Sequence, residues 1–204
     1  MNNKTAQTHD QHVHEYVDLG LPSGTLWATE NIKDADGNEL YFAWGETIGY
    51  TAEQVEEGKK VFSWDDYKFG FPDALTKYNK LDGLMILEPE DDAATQNWGD
   101  EWKMPTKTQF EELLAGTTQE WTDVNGINGM LCTSKTNGNT VFFPAAGFAK
   151  DGGVVDVGGF GDCWSASLYG MDVSRARYFD FFDGYHALNG SSRRYGFPVR
   201  PVRI

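Results

Sequence analysis

Cysteine is scarce in this sequence: only Cys132 and Cys163 occur among 204 residues. Two cysteines are too few for a disulfide framework, so we interpret them as small buried side chains, or as one bonded pair if the fold brings them together. Neither has a histidine beside it in the sequence, whereas a catalytic thiol needs a basic or cationic neighbour. No Ser/His/Asp order and no metal-ligand cluster stands out. The sequence therefore predicts a protein that is not an enzyme and that binds no metal or other cofactor.

Long apolar runs and basic charge are missing as well. No run of 18 apolar residues occurs, so we expect no membrane span. The formal net charge of -14 disfavours nucleic-acid binding, which needs a basic surface. Residues 1–15 are polar and lack the apolar core of a secretory signal, so either that route is not used or the signal has been removed. We expect these residues to be a disordered tail whose histidines, His9, His12 and His14, are held too loosely for a metal site.

Glycine and aromatic residues, by contrast, are plentiful: there are 23 glycines, and 14% of the residues are aromatic. This composition favours a loop-rich domain held together by aromatic clusters over a helical bundle. Two helices are nevertheless predicted. The first begins near Pro89, with acidic residues in its first turn, and ends at Gly99. The second has Thr106 as its N-cap and Gln109 three residues later, as in a capping box, and ends at Gly116.

Short strands separated by turns are predicted for much of the rest. A strand that begins at Tyr16 runs into a Pro/Gly turn, and residues 41–45 are predicted to be a buried strand end. Residues 51–60 are typical of a solvated loop or a short helix. Further strands are predicted at residues 131–133, 141–143 and 197–200. This order of elements predicts one α+β domain over residues 16–204, with two helices and several short, mostly antiparallel strands.

The end of the chain has a composition of its own. All lysines lie at or before Lys150, and all arginines lie at or after Arg175. Lys, Glu, Gln, Met and Trp together make up about a fifth of the chain, yet none of them occurs after Met171. Chance is a poor explanation for five missing residue types. We therefore expect the segment from Trp164 to Tyr195 to be under a constraint that the rest of the chain does not share.

Aromatic residues alternate along part of this segment. In a strand, successive side chains point to opposite faces, so Phe179 and Phe181 share one face and are predicted to pack inward. Tyr178, Asp180 and Phe182 share the other face, where exposed aromatics usually mark a contact surface. Residues 185–192 have the character of a loop rich in Tyr, Ser, Asn and Gly, which is the chemistry of antibody paratopes. An ordinary strand and loop with some exposed aromatics is the alternative interpretation.

Several segments of the chain resemble one family of domains. They are residues 17–28, 41–46, 91–94, 97–99, 102–106, 143–147, 164–167 and 199–203. These segments resemble the paralogous domains abundant in Bacteroidetes and Fibrobacter, which are related to the formylglycine-generating-enzyme version of the C-type lectin fold. The resemblance runs from about Tyr16 to Ile204, and it implies a C-type-lectin-like fold for the whole domain.

Residues 164–195 further resemble the variable region of diversity-generating retroelement target proteins. In that family, reverse transcription randomises the adenines of a template repeat, so that Asn codons become almost any codon. An Asn codon that ends in a pyrimidine cannot become a codon for Lys, Glu, Gln, Met or Trp, the five types missing after Met171. The resemblance also implies that Arg177 occupies a position where the family often has an aromatic residue.

Together, the resemblance and the alternation predict an interchangeable ligand-contact surface. Ten of its positions depart from the Asn-rich tails of the family, Asn189 keeps the Asn, and Asp180 is added by the alternation. The predicted contact residues are Asp172, Ser174, Arg175, Tyr178, Asp180, Phe182, Tyr185, Ala187, Asn189, Gly190, Ser191 and Ser192. A surface of Tyr, Phe, Asp and Arg favours a protein ligand over a bare glycan. We expect display on a cell surface or a phage particle, although the sequence does not encode how.

Three other functions stay open. A formylglycine-generating type of enzyme would need reactive thiols, and Cys132 and Cys163 are the candidates. Calcium-dependent sugar-binding lectins have Glu-Pro-Asn and Trp-Asn-Asp, whereas this chain has Glu-Pro-Glu at residues 88–90 and Trp-Gly-Asp at residues 98–100. The third is a surface adhesin or structural module of the same fold whose end is fixed in sequence.

Overall fold

The computed structural model describes residues 14–204. The predicted disordered tail therefore lies outside the described residues, except for His14 and Glu15. The ring of His14 stacks on Trp98, with ring centroids 3.7 Å apart. The first strand, β1, spans Tyr16–Asp18, where the sequence predicts a strand to begin.

Three short α-helices occur in the described part of the chain: α1 (Ala52–Glu56), α2 (Ala93–Trp98) and α3 (Lys107–Gly116). A 3-10 helix, Pro89–Asp91, precedes α2. The single helix predicted from Pro89 to Gly99 is therefore wrong, because Asp92 has an extended backbone and separates the two pieces. Its carboxylate accepts hydrogen bonds from the N–H groups of Ala94 and Thr95 at 2.8 and 3.0 Å, which makes it the N-cap of α2.

Capping boxes begin the other two helices. The N–H of Gln109 donates to Thr106 Oγ1 at 3.3 Å, and the N–H of Thr106 donates to Gln109 Oε1 at 2.9 Å, as the sequence predicts for α3. Thr51 and Gln54 form the same arrangement at the start of α1, so residues 51–60 begin as a short helix and continue as a loop. Each box satisfies N–H groups that the first turn of a helix leaves without partners.

Short strands make up most of the regular structure. The first sheet has the order β1-β2-β11, with β2 at Leu26–Ala28 and β11 at Val202–Arg203. The second has the order β3-β4-β5, with β3 at Thr117–Val124, β4 at Ile127–Ser134 and β5 at Thr140–Pro144. A ribbon pairs β6 (Phe148–Lys150) with β7 (Gly153–Val155). The last sheet has the order β10-β9-β8, with β8 at Phe160–Tyr169, β9 at Asp172–Phe182 and β10 at Tyr185–Ser192.

Every pairing between these strands is antiparallel. The fold is therefore α+β and mostly β, as predicted at that level. No helix in residues 14–204 is long and apolar enough to cross a membrane.

Three strand predictions are corrected by the pairing. Residues 185–192, predicted as a loop, form β10, because their backbone pairs with β9 in continuous register from Tyr185↔Phe182 to Ser192↔Arg175. Residues 197–200, predicted as a strand, hold one isolated bridge, from Phe197 to Phe42, since Pro198 has no N–H to extend the ladder. Residues 41–45 are buried but likewise hold only isolated bridges. The strands predicted at residues 131–133 and 141–143 lie within β4 and β5, as expected.

Two clusters of buried side chains form the core. The first includes Trp44, Trp164 and Phe197, and the second includes Trp27 and Phe110. Both cysteines are buried in the second cluster as free thiols, so the described structure contains no disulfide between them.

The sheet β10-β9-β8 contributes side chains to both clusters. Trp164 and Ala176 belong to the first cluster, while Phe179 and Phe181 belong to the second. Because the two faces of β9 pack against different clusters, the strand cannot rotate about its axis without losing buried contacts on one side. On the side of the first cluster, this sheet is buried at Trp164 and Ala176 and partly exposed at Phe160 and Tyr185.

Candidate ligand-binding surface

The side chains of β9 alternate between a buried face and a partly exposed face, as the sequence predicts. Phe179 and Phe181 are fully buried, with 0% and 1% of their surface exposed. Tyr178, Asp180 and Phe182 point to the opposite face, and each is half-buried. The alternation of side chains therefore separates the face of this strand that packs into the core from the face that can contact a ligand.

Nine residues from the three neighbouring strands form three rows on that opposite side, which we call the outer face. The register places Phe160, Phe182 and Tyr185 in the first row, Asp162, Asp180 and Ala187 in the second, and Trp164, Tyr178 and Asn189 in the third. Directly opposed residues of an antiparallel pair have Cβ atoms about 4.5–5.5 Å apart, so each row is a set of touching neighbours.

The first row is an aromatic shelf next to the turn of the hairpin. Phe182 stacks on Tyr185 with ring centroids 4.6 Å apart and an interplanar angle of 15°. On its other side Phe182 contacts Phe160, with centroids 4.8 Å apart. Phe160 is 40% exposed and Tyr185 is 36% exposed, so the shelf offers ring surface to solvent.

The second row places two carboxyl groups side by side. Asp180 accepts a hydrogen bond from Asn189 Nδ2 at 2.8 Å. Asp162, directly across the strand pair, is 7% exposed, and no described residue donates a hydrogen bond to its carboxyl group. Burial, together with the smaller effect of the negative charges of Asp180 and Asp156, raises the pKa of Asp162 to about 8.

The third row closes the outer face against the first core cluster. Trp164 is fully buried, stacks on Phe197 at 4.1 Å between centroids, and donates its Nε1–H to Phe42 O at 2.8 Å. Tyr178 packs on Phe197 at 4.8 Å. Burial and the neighbouring Asp180 raise the pKa of the Tyr178 phenol well above its ordinary value. The face is thus anchored at this row and open at the aromatic shelf.

Six of the twelve predicted contact residues come together on the outer face: Tyr178, Asp180, Phe182, Tyr185, Ala187 and Asn189. Asn189 joins them through a second hydrogen bond, which its Nδ2 donates to the Tyr185 hydroxyl at 2.9 Å. In the sequence, these six residues belong to a predicted strand and to a separate predicted loop. The pairing of β9 with β10 makes them one continuous patch.

The other six lie toward the far end of the hairpin: Asp172, Ser174, Arg175, Gly190, Ser191 and Ser192. Asp172 and Arg175 are exposed, and Ser174 donates its hydroxyl to Asp172 Oδ1 at 2.6 Å. The guanidinium of Arg175 lies 4.9 Å above the ring centre of Tyr169. These residues do not extend the outer face as a single surface.

Gly190 is buried under Tyr169. A Cβ atom added at this position would lie 2.0 Å from Cδ2 of that ring. The guanidinium of Arg177 covers the same ring, 4.2 Å from its centre. As it stands, Gly190 offers a ligand no side chain, and the prediction that it makes a contact does not fit its position.

Two outer-face residues were missed by sequence reasoning, namely Phe160 and Asp162. They lie on β8, before the segment with the unusual composition. The signal was nevertheless present, because Phe160, Asp162 and Trp164 alternate with Gly161 and Cys163 in the same way that residues 178–182 alternate. Only the register of β8 against β9 shows that the two patterns share a face.

No protein-family model, curated protein or solved structure matches this chain. The outer face must therefore be interpreted from its own residues.

Other groups in the described structure are already engaged. Glu88, Glu90 and Asp91 bring their carboxylates close enough to hold a cation. The ammonium group of Lys77 occupies that position, with its Nζ 2.6, 3.0 and 2.6 Å from the three carboxylates in turn. A cavity of about 550 Å³ lies beside α3 and β11, and none of the twelve predicted contact residues lines it.

Both thiols are buried in the core. Burial is the largest cause that raises the pKa of Cys132 and of Cys163, in each case to about 12. A nucleophilic cysteine needs a lowered pKa and access to its substrate.

Proposed function

We propose that this protein is a non-enzymatic ligand-binding protein whose C-terminal hairpin is a diversified recognition surface. The observation that carries the proposal is the convergence of predicted variable positions on the outer face. Tyr178, Phe182, Tyr185 and Ala187 come from two strands and depart from the family Asn, and they share one face with Asp180 and Asn189. The intervening Phe179 and Phe181 belong to the core.

Separation of surface from scaffold is what a diversified protein requires. Substitutions at exposed positions rarely change stability by more than about 0.5 kcal/mol, whereas core substitutions cost several times more. The hairpin is also held in place by a residue that is not one of its variable positions. Arg193, directly after β10, is fully buried and donates to Val173 O of β9 at 2.9 Å.

Within this proposal the fold is the C-type-lectin-like fold of the Bacteroidetes and Fibrobacter domains, and the hairpin is the variable region of a retroelement target protein. Support comes from the α+β, mostly antiparallel architecture and from the residue types missing after Met171. The outer face, rich in aromatic side chains, suits a protein ligand better than a bare glycan. Display on a cell surface or a phage particle is part of the same proposal.

Sequencing of the locus tests the diversification directly. A nearby reverse transcriptase gene and a near-identical repeat with adenines at the variable codons are expected. In sequences from several isolates, differences should concentrate at the outer-face positions of β9 and β10 and spare Phe179 and Phe181. If the locus holds neither the repeat nor the gene, diversification by a retroelement is ruled out.

A fixed-sequence surface adhesin or structural module of the same fold is the second candidate function. It would use the same aromatic shelf and would keep it constant among isolates. A formylglycine-generating type of enzyme is a weaker candidate, because the buried and raised-pKa thiols of Cys132 and Cys163 lack the activation that its chemistry needs.

A further inference from the structure

We propose that the outer face recognises an arginine side chain of a protein partner, with the guanidinium group set over Asp162 and Asp180 and against the aromatic shelf. This inference rests on the proposed function and names the chemistry of its ligand. Three features of the face carry it: a carboxyl group that accepts no hydrogen bond from a described residue, acidic charge that no lysine or arginine of residues 14–204 pairs with, and an exposed row of rings beside it.

Asp162 is the first feature. It is more than nine-tenths buried, and no described residue donates a hydrogen bond to its carboxyl group. Its oxygen atoms are not among the fully buried side-chain atoms that lack a partner, so they keep some contact with solvent and can be reached by a donor from outside. Its register partner Asp180 lies on the same face and already accepts from Asn189. A donor that satisfied Asp162 from outside would sit between the two carboxyl groups.

The charge around this pair is the second feature. The charged groups that act on Asp162 are Asp180 and Asp156, both acidic, and none of the ion pairs of residues 14–204 includes Asp162 or Asp180. Elsewhere in the described structure, by contrast, Lys77 and Lys68 neutralise the buried Asp91 at 2.6 and 2.5 Å. A partner's cation would offset the negative charge of Asp180 and would favour the ionised form of Asp162.

The aromatic shelf, the third feature, decides which cation fits. Phe182 lies one row from Asp180 on the same strand, and its ring stacks with Tyr185 beside it. A planar guanidinium can stack on such rings while its N–H groups pair with carboxylates, which an ammonium group does less well. Ala187, across from Asp180, is small and leaves room over the second row.

A metal ion fits the same place less well. Calcium takes six to eight oxygen ligands, whereas the second row offers two carboxyl groups and the methyl group of Ala187. The adjacent row consists of ring carbon and one phenol. An arginine uses both rows, whereas a calcium ion would use only one.

The test uses N-acetyl-arginine amide as the probe and the intact chain labelled for NMR. Saturable shift changes are expected at Phe160, Asp162, Asp180, Phe182 and Tyr185, with a dissociation constant of about 1 mM or weaker for so small a molecule. The Asp162→Asn/Asp180→Asn double variant should weaken binding at least tenfold. Asp183→Asn, the same charge change in the exposed turn of the same hairpin, should leave binding unchanged.

Two analogues of the probe test whether binding requires the charge of arginine and the shape of its guanidinium group. The citrulline analogue, which has the shape without the charge, should not bind, and the lysine analogue should bind more weakly than arginine. Shift changes scattered over the acidic surface, equal binding by the double variant, or tighter binding of calcium at the same residues would each overturn the proposal. Each of these results would leave the proposed function standing, because that function is decided by the locus and by where isolates differ.

Discussion

At neutral pH, the folded protein favours the protonated form of the Asp162 carboxyl group, whereas an ordinary aspartate is ionised. Its pKa rises from an ordinary value near 3.8 to about 8, because burial and two like charges disfavour the ionised form. The folded protein therefore keeps a proton that the unfolded chain releases. The number of bound protons is larger in the folded state between about pH 4 and pH 8, so this group makes stability fall as the pH rises through that window and level off above it.

Replacement of Asp162 by Asn removes this dependence. We expect the thermal midpoint of Asp162→Asn, relative to the parent protein, to be several degrees more favourable at pH 8.5 than at pH 4.5. Each kcal/mol moves the midpoint of a domain of this size by about 2–4 °C. The difference between the two pH values is the useful measurement. The free-energy cost of burying an amide without a hydrogen-bond partner is the same at both pH values, so it cancels in that difference.

Asp183→Asn serves as the control for the stability experiment as well. This residue is exposed in the turn between β9 and β10, so its removal should shift the midpoint equally at both pH values. A difference for Asp162→Asn that did not change with pH would mean that its carboxyl group is ionised in the folded protein at low pH as well.

At the scale of one element, β9 predicts opposite outcomes for two phenylalanines three positions apart. Phe179 is buried against Phe110 and Phe143, with ring centroids 5.6 and 5.4 Å away. Phe179→Ala should lower the free energy of unfolding by about 3–5 kcal/mol, the usual cost of an aromatic cavity. Phe182→Ala should lower it by less than about 1 kcal/mol, because the ring lies on the open shelf.

Urea denaturation of the two variants measures the difference. Tyr178→Ala should fall between them, since Tyr178 packs on Phe197 and Trp164 at the anchored row. Equal losses for Phe179→Ala and Phe182→Ala would show that both faces of β9 are core, and the outer face could not then be a binding surface.

Strand β9 also shows how far the sequence alone could reach. Alternation identified its two faces because period two follows from strand geometry and needs no knowledge of neighbours. Strand β10 was missed because residues 185–192 have few β-branched or aromatic residues, and their extended form comes from main-chain pairing with β9. Local composition indicated a loop, and the tertiary contact overrode it.

The register of β8 lay further out of reach. Between Trp164 and Leu168 the pairing with β9 shifts, because the backbone of Ala166 turns away to bond with Pro105 and Leu87. Such a bulge depends on segments distant in sequence, so no local pattern could show that Asp162 opposes Asp180. The parts of the candidate site on β9 and β10 were therefore identifiable from the sequence, whereas the part on β8 was not.

At the scale of the whole molecule, Arg193 joins the hairpin to the rest of the domain. Its guanidinium donates to the Tyr67 hydroxyl at 2.8 Å and to the carbonyl groups of Tyr78, Val173 and Lys77 at 3.1, 2.9 and 3.2 Å. The Trp44 ring lies 4.8 Å away. No carboxylate pairs with it in the described structure, so its charge is held by carbonyl dipoles and ring faces.

Arg193→Met should therefore destabilise the whole domain by at least about 3 kcal/mol, because three buried or partly buried carbonyl groups and the Tyr67 hydroxyl lose their donor at once. Arg194→Met is the matched control. Arg194 is half-buried and donates to Phe62 O at 2.7 Å and to the exposed Asp151 at 2.6 Å, so its loss should cost about 1 kcal/mol. Urea denaturation compares the two, and amide exchange in residues 173–178 should accelerate in Arg193→Met alone. Equal effects of the two variants would mean that the hairpin is held by its strand pairing and not by Arg193. Changes on the outer face would then disturb the scaffold, contrary to the separation that a diversified surface needs.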